Sequence, residues 1–201
     1  MKNKTIIYTI NKNKSLDSKV DRCPGVSRSL NTFTNTSKLS RLHPWYITGL
    51  SDGEACFLVG VSKRDSSRKK SWRVQPSFQI GMDSKDKALL DQLQATFGVG
   101  KVYKGEKNLY RFMVRSLEDL KVVVDHFEKF PLRTQKRADF ELFKQVVELM
   151  NNKELTLDLQ QIVNIRASIN RGLTEMLKAA FPDTKPVPRL EVSDQEIKDP
   201  H

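Results

Sequence analysis

Cysteine and histidine are scarce in this sequence of 201 residues, and long apolar runs are absent. The two cysteines, Cys23 and Cys56, cannot form a disulfide framework, and neither belongs to a Cys-x-x-Cys pair. The three histidines lie far apart, which argues against a zinc site. No apolar run approaches the roughly 18 residues of a membrane span, and Ile6-Ile7-Tyr8 is too short for the core of a signal peptide. We therefore expect a soluble intracellular protein with no membrane partner.

Acidic residues are also few, with 24 Asp and Glu against 35 Lys and Arg, so that the net charge is +11. Residues 1–41 contain nine of the basic and two of the acidic residues, and they are rich in Ser, Asn and Thr. This composition predicts a basic, mostly disordered leader. A cleaved targeting segment and a leftover extension of the reading frame both remain open for it. The excess of positive charge favours a polyanionic partner, of which nucleic acid is the commonest.

The hydrophobic periodicity of residues 42–180 predicts one packed α+β domain with the order αββαββα, followed by extra helices. The first helix is expected from Trp45 to Glu54, with Pro44 in its first turn. Pro76 predicts that the second strand lies at a sheet edge or is bulged. The later elements are predicted as a helix from an Asp83 cap to Gly98, strands 99–104 and 108–115, and helices beginning at 117, 133, 157 and 173. Residues 181–201, with several prolines and many charges, are expected to form a linker or tail.

The predicted four-stranded antiparallel sheet has one apolar face and one polar, basic face. The apolar face must pack against the helices, and the other face almost lacks acids. Arg and Gln suit bidentate hydrogen bonds to guanine and adenine, and Lys, Ser and Tyr suit phosphate and sugar contacts. An ordinary solvated sheet face is the alternative, but the basic turn that extends this face favours DNA binding. The residues expected to contact DNA are Ser62, Arg64, Arg68, Lys70, Arg73, Gln75, Ser77, Gln79, Lys101, Tyr103, Arg111 and Arg115.

The first predicted helix combines two unusual features. Gly49 and Gly53 lie four residues apart on one face, and each costs about 1 kcal/mol relative to alanine inside a helix. Close approach of another helix would offset that cost, whereas a simple capping role is the alternative for Gly53. Asp52 and Glu54 cluster at the C-terminal end, where the helix dipole disfavours acids. The pair therefore suggests a bound hard cation such as Mg²⁺.

The segment from Ile47 to Phe57, ITGLSDGEACF, resembles the signature of the LAGLIDADG homing endonucleases, in particular their fungal intron-encoded branch. Further similarity covers most of residues 42–190, including QPSFQI at 75–80 and PLRTQK at 131–136. The resemblance implies the αββαββα fold with its sheet as the DNA-binding face. It also implies mitochondrial localisation and site-specific hydrolysis of DNA phosphodiesters with a divalent metal. An RNA maturase for its own intron and a non-cleaving DNA-binding remnant remain open as alternatives.

The same resemblance implies roles for individual residues. Glu54 matches the metal-binding acid, and the carbonyl group of Gly53 would also face the metal. Gln79 matches a position that orients solvent, and Lys136 is the candidate basic residue near the scissile phosphate, with a solvated helix residue as its alternative. We expect Asp52 to hydrogen-bond at the helix end instead of binding metal. Because only one motif is present, a second would come from a homodimer mate, through the face of Gly49 and Gly53, or from a missing C-terminal half.

Overall fold

The computed structural model describes residues 40–64, 71–152 and 158–192. Nearly all of the predicted basic leader, and the candidate residues Arg68 and Lys70, therefore lie outside the described residues. The described elements are α1 (Pro44–Glu54), β1 (Ala55–Arg64), β2 (Ser71–Asp83), α2 (Lys87–Phe97), β3 (Lys101–Lys104), β4 (Leu109–Val114), α3 (Leu117–Lys129), α4 (Lys136–Asn151), α5 (Leu159–Ala167) and α6 (Glu175–Ala180). This order confirms the predicted αββαββα domain with additional C-terminal helices.

The four strands form one antiparallel sheet in the order β1-β2-β4-β3. Helices α2, α3 and α4 contact the sheet, on the face where the predicted apolar side chains are buried. The core is rich in aromatic rings, and Phe57, Phe78 and Phe127 are at most 1% exposed with ring centroids 5.3–5.7 Å apart. Within the described residues, side chains on the opposite face of the sheet, such as Arg73 and Arg111, are exposed.

The strand that contains Pro76 lies inside the sheet order, but the predicted edge position holds at Pro76 itself, whereas the alternative of a bulge there is wrong. The register between β1 and β2 runs without interruption from Ala55 opposite Ile80 to Arg64 opposite Ser71. Strand β4 pairs with β2 only from Phe78 onward. At Pro76 the strand therefore has one neighbour, β1, and this explains how a central strand accommodates a residue without an N–H group.

Two element boundaries differ from prediction, one through a contact with a distant residue and one through a local turn. Helix α4 begins at Lys136 and not at Arg133, because the backbone N–H groups of Arg133 and Thr134 donate to the side chain of Asp52. Asp83 caps a single 3₁₀ turn by accepting from the N–H of Lys85, and α2 follows that turn. Gly98, with φ +70°, ends α2 as predicted. None of the helices in the described part of the chain is long and apolar enough to cross a membrane.

The described part of the predicted tail, residues 181–192, contacts the domain. The ring of Phe181 is buried, with its centroid 4.9 Å from that of Trp72. Ser168 donates to the carbonyl oxygen of Val187 at 2.6 Å, and Arg189 donates to the carboxylate of Asp139 at 2.7 Å. The division of the chain at residue 180 remains a prediction, but residues just beyond it are held on the domain surface.

Candidate functional site

The first helix ends at a residue with an exposed carboxylate. Pro44 occupies the first helical position, and the helix stops after Glu54 because Ala55 adopts extended backbone angles and begins β1. Gly53 is not the cap, since the helix continues through it and its φ is not positive. The alternative capping role for Gly53 is therefore wrong. The sequence places Glu54 at the junction between α1 and the sheet.

One face of α1 is buried in the domain, whereas its opposite face carries the two glycines. Ile47, Thr48 and Ser51 are buried, and the hydroxyl group of Thr48 donates to the carbonyl oxygen of Phe130 at 2.8 Å. Gly49 and Gly53 are exposed, and a Cβ atom on either would meet no atom within 4 Å. Tyr46, also on α1, is half exposed. This surface has the flat shape that close packing of a second helix requires.

Ser51 departs from the usual motif, where an apolar residue stands, and it is fully buried. Its hydroxyl oxygen has no hydrogen-bond partner among the described residues. A buried hydroxyl without a partner is unfavourable relative to an apolar side chain of similar size. The departure from the motif therefore affects the packing of α1 on its own domain and leaves the glycine face unchanged.

The carboxylate of Asp52 is bonded to the segment that precedes α4. It accepts hydrogen bonds from the backbone N–H of Arg133 at 2.9 Å, from the N–H of Thr134 at 3.2 Å and from the hydroxyl group of Thr134 at 2.8 Å. Both carboxylate oxygens of Asp52 thus accept hydrogen bonds from the protein itself, in agreement with the prediction that Asp52 hydrogen-bonds at the helix end. Glu54 is left as the exposed carboxylate of the motif.

Lys136, the first residue of α4, reaches the same end of α1. Its Nζ atom donates to the carbonyl oxygen of Gly53 at 3.0 Å. The structure therefore brings together Gly53, Glu54 and Lys136, which are separated by more than 80 residues of chain. The contact places the ammonium group of Lys136 beside the motif, and its role near a scissile phosphate remains a prediction. Sequence reasoning did not identify Thr134, because its contact with Asp52 spans 82 residues and has no local pattern.

Gln79 lies on β2 directly opposite Cys56, which is two residues beyond Glu54. Its side-chain amide donates to the hydroxyl oxygen of Ser77 at 3.2 Å. Burial raises the pKa of the Cys56 thiol, and the charge of Lys136 opposes that effect only partly. The thiol is therefore a neutral group beside the acid end of α1.

The polar face of the sheet carries most of the predicted DNA-contacting residues. The residues exposed there are Ser62, Arg64, Arg73, Lys101, Tyr103, Arg111 and Arg115, while Gln75 and Gln79 are partly buried. The pairing of Ser62 with Arg73 and of Tyr103 with Arg111 extends this surface across all four strands. It gives a polar, cationic surface that begins at Glu54 and has the donors that phosphates and base edges accept.

Ser77 does not belong to that exposed surface. It is only 6% exposed and its hydroxyl oxygen accepts from Gln79. The reason is its position in the middle of the central strand β2, opposite Leu58. Alternation along a strand correctly predicts which face a side chain points to, but neighbouring side chains decide whether it is accessible.

The residues at the acid end of α1 fit a hydrated divalent cation. The Glu54 carboxylate and the Gly53 carbonyl are adjacent oxygen donors of the kind that Mg²⁺ prefers. The ammonium group of Lys136 donates to one lone pair of the Gly53 oxygen, so a metal ion there would use the other. No three His, Cys, Asp or Glu residues in the described ranges come together as a metal-binding group. One chain thus offers two protein ligands, and water or phosphate oxygens would complete the coordination.

The model of the LAGLIDADG endonuclease family matches residues 47–147, which include most of the first helix, the sheet and most of α4. The chain belongs to the LAGLIDADG endonuclease family. "Probable intron-encoded endonuclease 3" of Neurospora crassa is 42% identical over 174 residues, which are 84% of this chain and 32% of the relative.

Two solved structures are similar to this LAGLIDADG chain. The LAGLIDADG meganuclease I-CpaMI bound to uncleaved DNA has a TM-score of 0.73 and 37% identity, covering 79% of this chain and 55% of that one. I-SmaMI bound to an uncleaved DNA target in the presence of calcium ions has a TM-score of 0.73 and 40% identity, covering 79% and 55%. The chain therefore spans about a third of its curated relative and about half of these structures.

Proposed function

We propose that this LAGLIDADG chain supplies one motif of a site-specific DNA endonuclease that hydrolyses phosphodiester bonds with a divalent metal. The observation that carries the proposal is the exposed Glu54 carboxylate at the end of α1, between an unpartnered glycine face and a basic sheet. A metal-binding acid, a helix-pairing surface and a DNA-binding surface thus meet at one place. The DNA-bound meganucleases of the same fold support this assignment.

The glycine face of α1 would receive a second motif helix. Gly49 and Gly53 leave room for a backbone at close distance, and each glycine inside the helix carries an energetic cost that such packing offsets. This chain covers about half of the matched meganuclease structures. The second helix would therefore come from a homodimer mate or from a C-terminal half, and two helices would provide one acid for each DNA strand.

The chain's own residues have distinct tasks in this proposal. Glu54 and the carbonyl of Gly53 would hold Mg²⁺, which when bound activates water and stabilises the leaving 3′ oxygen. Gln79, on the sheet face beside Cys56, would orient the water. Lys136 would offset negative charge near the scissile phosphate. The exposed arginines and lysines of the sheet would hold the duplex by its phosphates. Their fixed positions on four paired strands would set the register of the protein on the duplex.

The curated fungal relative is named as a probable intron-encoded endonuclease. As the resemblance to the fungal intron-encoded branch implies, we propose that this chain acts in the mitochondrion, on double-stranded DNA that lacks the intron. Its own intron RNA is a possible second partner, since the same basic sheet would attract RNA through its phosphates. Cleavage and splicing assays on the same preparation separate these two activities.

The decisive experiment is cleavage of duplexes selected by this protein from a randomised library, in the presence of Mg²⁺. Glu54→Gln removes the charge and keeps the shape of the side chain. It is expected to abolish double-strand cleavage while DNA affinity stays within a few-fold. Glu118→Gln, at an exposed carboxylate in the first turn of α3, is the matched control and should cleave like the parent.

Three other outcomes would contradict the proposal in different ways. Cleavage by Glu54→Gln at the parental rate would exclude Glu54 as the metal ligand. Tight DNA binding with no cleavage at any divalent metal concentration, both by the parent and by the parent joined to a second motif half, would identify a non-cleaving binding protein. Stimulation of intron splicing that survives Glu54→Gln, again with no DNA cleavage, would identify a maturase.

A further inference from the structure

Four residues at the end of α1 form a closed ring of hydrogen bonds. Asp52 accepts from the hydroxyl of Thr134 at 2.8 Å, and the same hydroxyl oxygen accepts from the backbone N–H of Lys136 at 3.2 Å. Lys136 then returns to α1 through its Nζ atom, which donates to the carbonyl of Gly53 at 3.0 Å. The ring begins and ends on neighbouring residues of the motif helix, although its two halves are more than 80 residues apart in the chain.

Two additional bonds strengthen the side of the ring that precedes α4. The carboxylate of Asp52 also accepts from the backbone N–H groups of Arg133 and Thr134, at 2.9 and 3.2 Å. These groups immediately precede α4, so the negative charge of Asp52 lies near the positive end of that helix. Gln135, at the cap position, forms no side-chain hydrogen bond to the helix. Asp52 and Thr134 therefore fix the backbone from which the Lys136 side chain extends.

Lysine is a flexible side chain with a compact charge, and holding its ammonium group at one point costs conformational entropy. Fixing the backbone at Lys136 reduces the volume in which its Nζ atom moves. The contacts connect Asp52 to Lys136 without placing Asp52 at the metal or at DNA.

We propose that Asp52 and Thr134 are positioning residues, which hold Lys136 against the Gly53 carbonyl at the acid end of the motif helix. The inference rests on the proposed endonuclease function for its kinetic consequence. Its structural part, the restraint of the Lys136 side chain, does not depend on cleavage. The two parts are tested separately.

The kinetic test compares Thr134→Val, Thr134→Ser, Lys136→Met and the double variant Thr134→Val with Lys136→Met. Valine keeps the shape of threonine and removes the hydroxyl, whereas serine keeps the hydroxyl. We expect Thr134→Val to lower kcat about tenfold, the effect of about one hydrogen bond, with the KM for DNA unchanged. Thr134→Ser should retain most of the parental kcat. In the Lys136→Met background, Thr134→Val should cause no further loss, because a residue that acts through Lys136 has no effect in its absence.

Thr184→Val is the matched control, since Thr184 also donates its hydroxyl group to a backbone carbonyl, that of Phe181 at 2.7 Å, far along the chain from the motif. It should leave kcat unchanged. Equal losses in Thr134→Ser and Thr134→Val, or losses that multiply in the double variant, would overturn the positioning role. A parent that binds DNA and does not cleave, even when it is joined to a second motif half, would instead overturn the proposed function.

The structural test uses NMR of the Lys136 side chain in the free protein, and it remains valid if no cleavage is found. A held ammonium group shows a chemical shift and a proton exchange rate distinct from those of a solvated lysine. We expect this signature in the parent and in Thr134→Ser, and its loss in Thr134→Val. A solvated signature in the parent, or an unchanged signature in Thr134→Val, would refute the inference. Identical circular dichroism of the variants excludes unfolding as the cause.

Discussion

The side-chain amide of Asn170 donates a hydrogen bond to the backbone carbonyl of Phe57 at 2.7 Å, across 113 residues of the chain. Phe57 lies three residues beyond Glu54. The backbone N–H of Asn170 donates to Asp139, which also accepts from Arg189. The segment after α5 thus holds the beginning of β1, and through it the acid end of α1, in place.

Replacement of Asn170 tests this restraint. Asn170 has φ +52°, so Asn170→Gly keeps the backbone conformation and removes only the side chain. We expect a loss of about 1 kcal/mol in the free energy of unfolding, because the Phe57 carbonyl loses its donor. Urea denaturation measures this. Asn108→Gly, at an exposed asparagine with φ +61°, is the control and should change stability little. Equal effects of both substitutions would contradict the restraint.

The glycine face of α1 predicts self-association or pairing with a second motif. Gly49→Leu should be tolerated by the isolated domain, since a Cβ atom there meets nothing within 4 Å. It should block helix pairing by steric overlap and thereby abolish double-strand cleavage. Analytical ultracentrifugation with and without DNA measures the association. Ala95→Leu, on the exposed side of α2, is the control for adding the same side chain elsewhere. A parent that is monomeric on DNA and still cuts both strands would contradict helix pairing.

Salt should weaken DNA binding steeply, because each phosphate contact contributes a slope of about −0.9 to the dependence of log affinity on log salt. If Arg73 contacts a phosphate, Arg73→Gln should reduce the slope by about one such contact. Lys121→Gln removes the same charge from an exposed position on α3 and should leave the slope unchanged. Fluorescence anisotropy at a series of salt concentrations measures both. A DNA affinity of the parent that does not change with salt would remove the case for a polyanionic partner. Equal changes of the salt slope in the two variants would mean that the sheet face is not the contact surface.

His126 predicts a loss of stability on acidification. Its ring lies 4.9–5.3 Å from the rings of Phe97, Phe127 and Phe130, and its Nε2 atom has no hydrogen-bond partner among the described residues. Burial lowers the pKa of His126 from 6.5 to about 4. The unfolded chain therefore binds the additional proton first, and the contribution of the neutral histidine is present above pH 6.5 and is lost as the pH falls from about 6.5 to about 4.

His126→Phe removes this titration and keeps an aromatic ring. The free energy of unfolding should fall less steeply for the variant than for the parent between pH 6.5 and 4, as measured by urea denaturation at several pH values. Carboxylates that titrate in the lower part of this range are common to both proteins, so the difference reports on His126. Equal slopes would show that His126 is not the source of the pH dependence.

The alternation of apolar and polar residues in the sequence was sufficient to predict the fold and the polar, basic face of the sheet. Side chains two residues apart share a strand face, so Arg73 and Arg111 were placed correctly by their distance along the chain. The short motif that ends in Glu54 likewise predicted the glycine face and its exposed acid, because helical spacing determines which residues share a face. Both properties depend on residues that lie close together in the chain, so the spacing of residue types is enough to predict them.

The tertiary structure alone decided what depends on residues far apart in the chain. Neighbouring strands bury Ser77, and the limited length of β4 leaves room for Pro76 within a central strand. The bond between Asp52 and Thr134 moves the beginning of α4 to Lys136, and Asn170 reaches Phe57 across 113 residues. Residues that come into contact only after folding follow no periodic pattern of apolar and polar positions in the sequence. The burial of Ser77, the beginning of α4 and the hydrogen-bonded ring at Gly53 are therefore set by the packed domain and not by any local pattern.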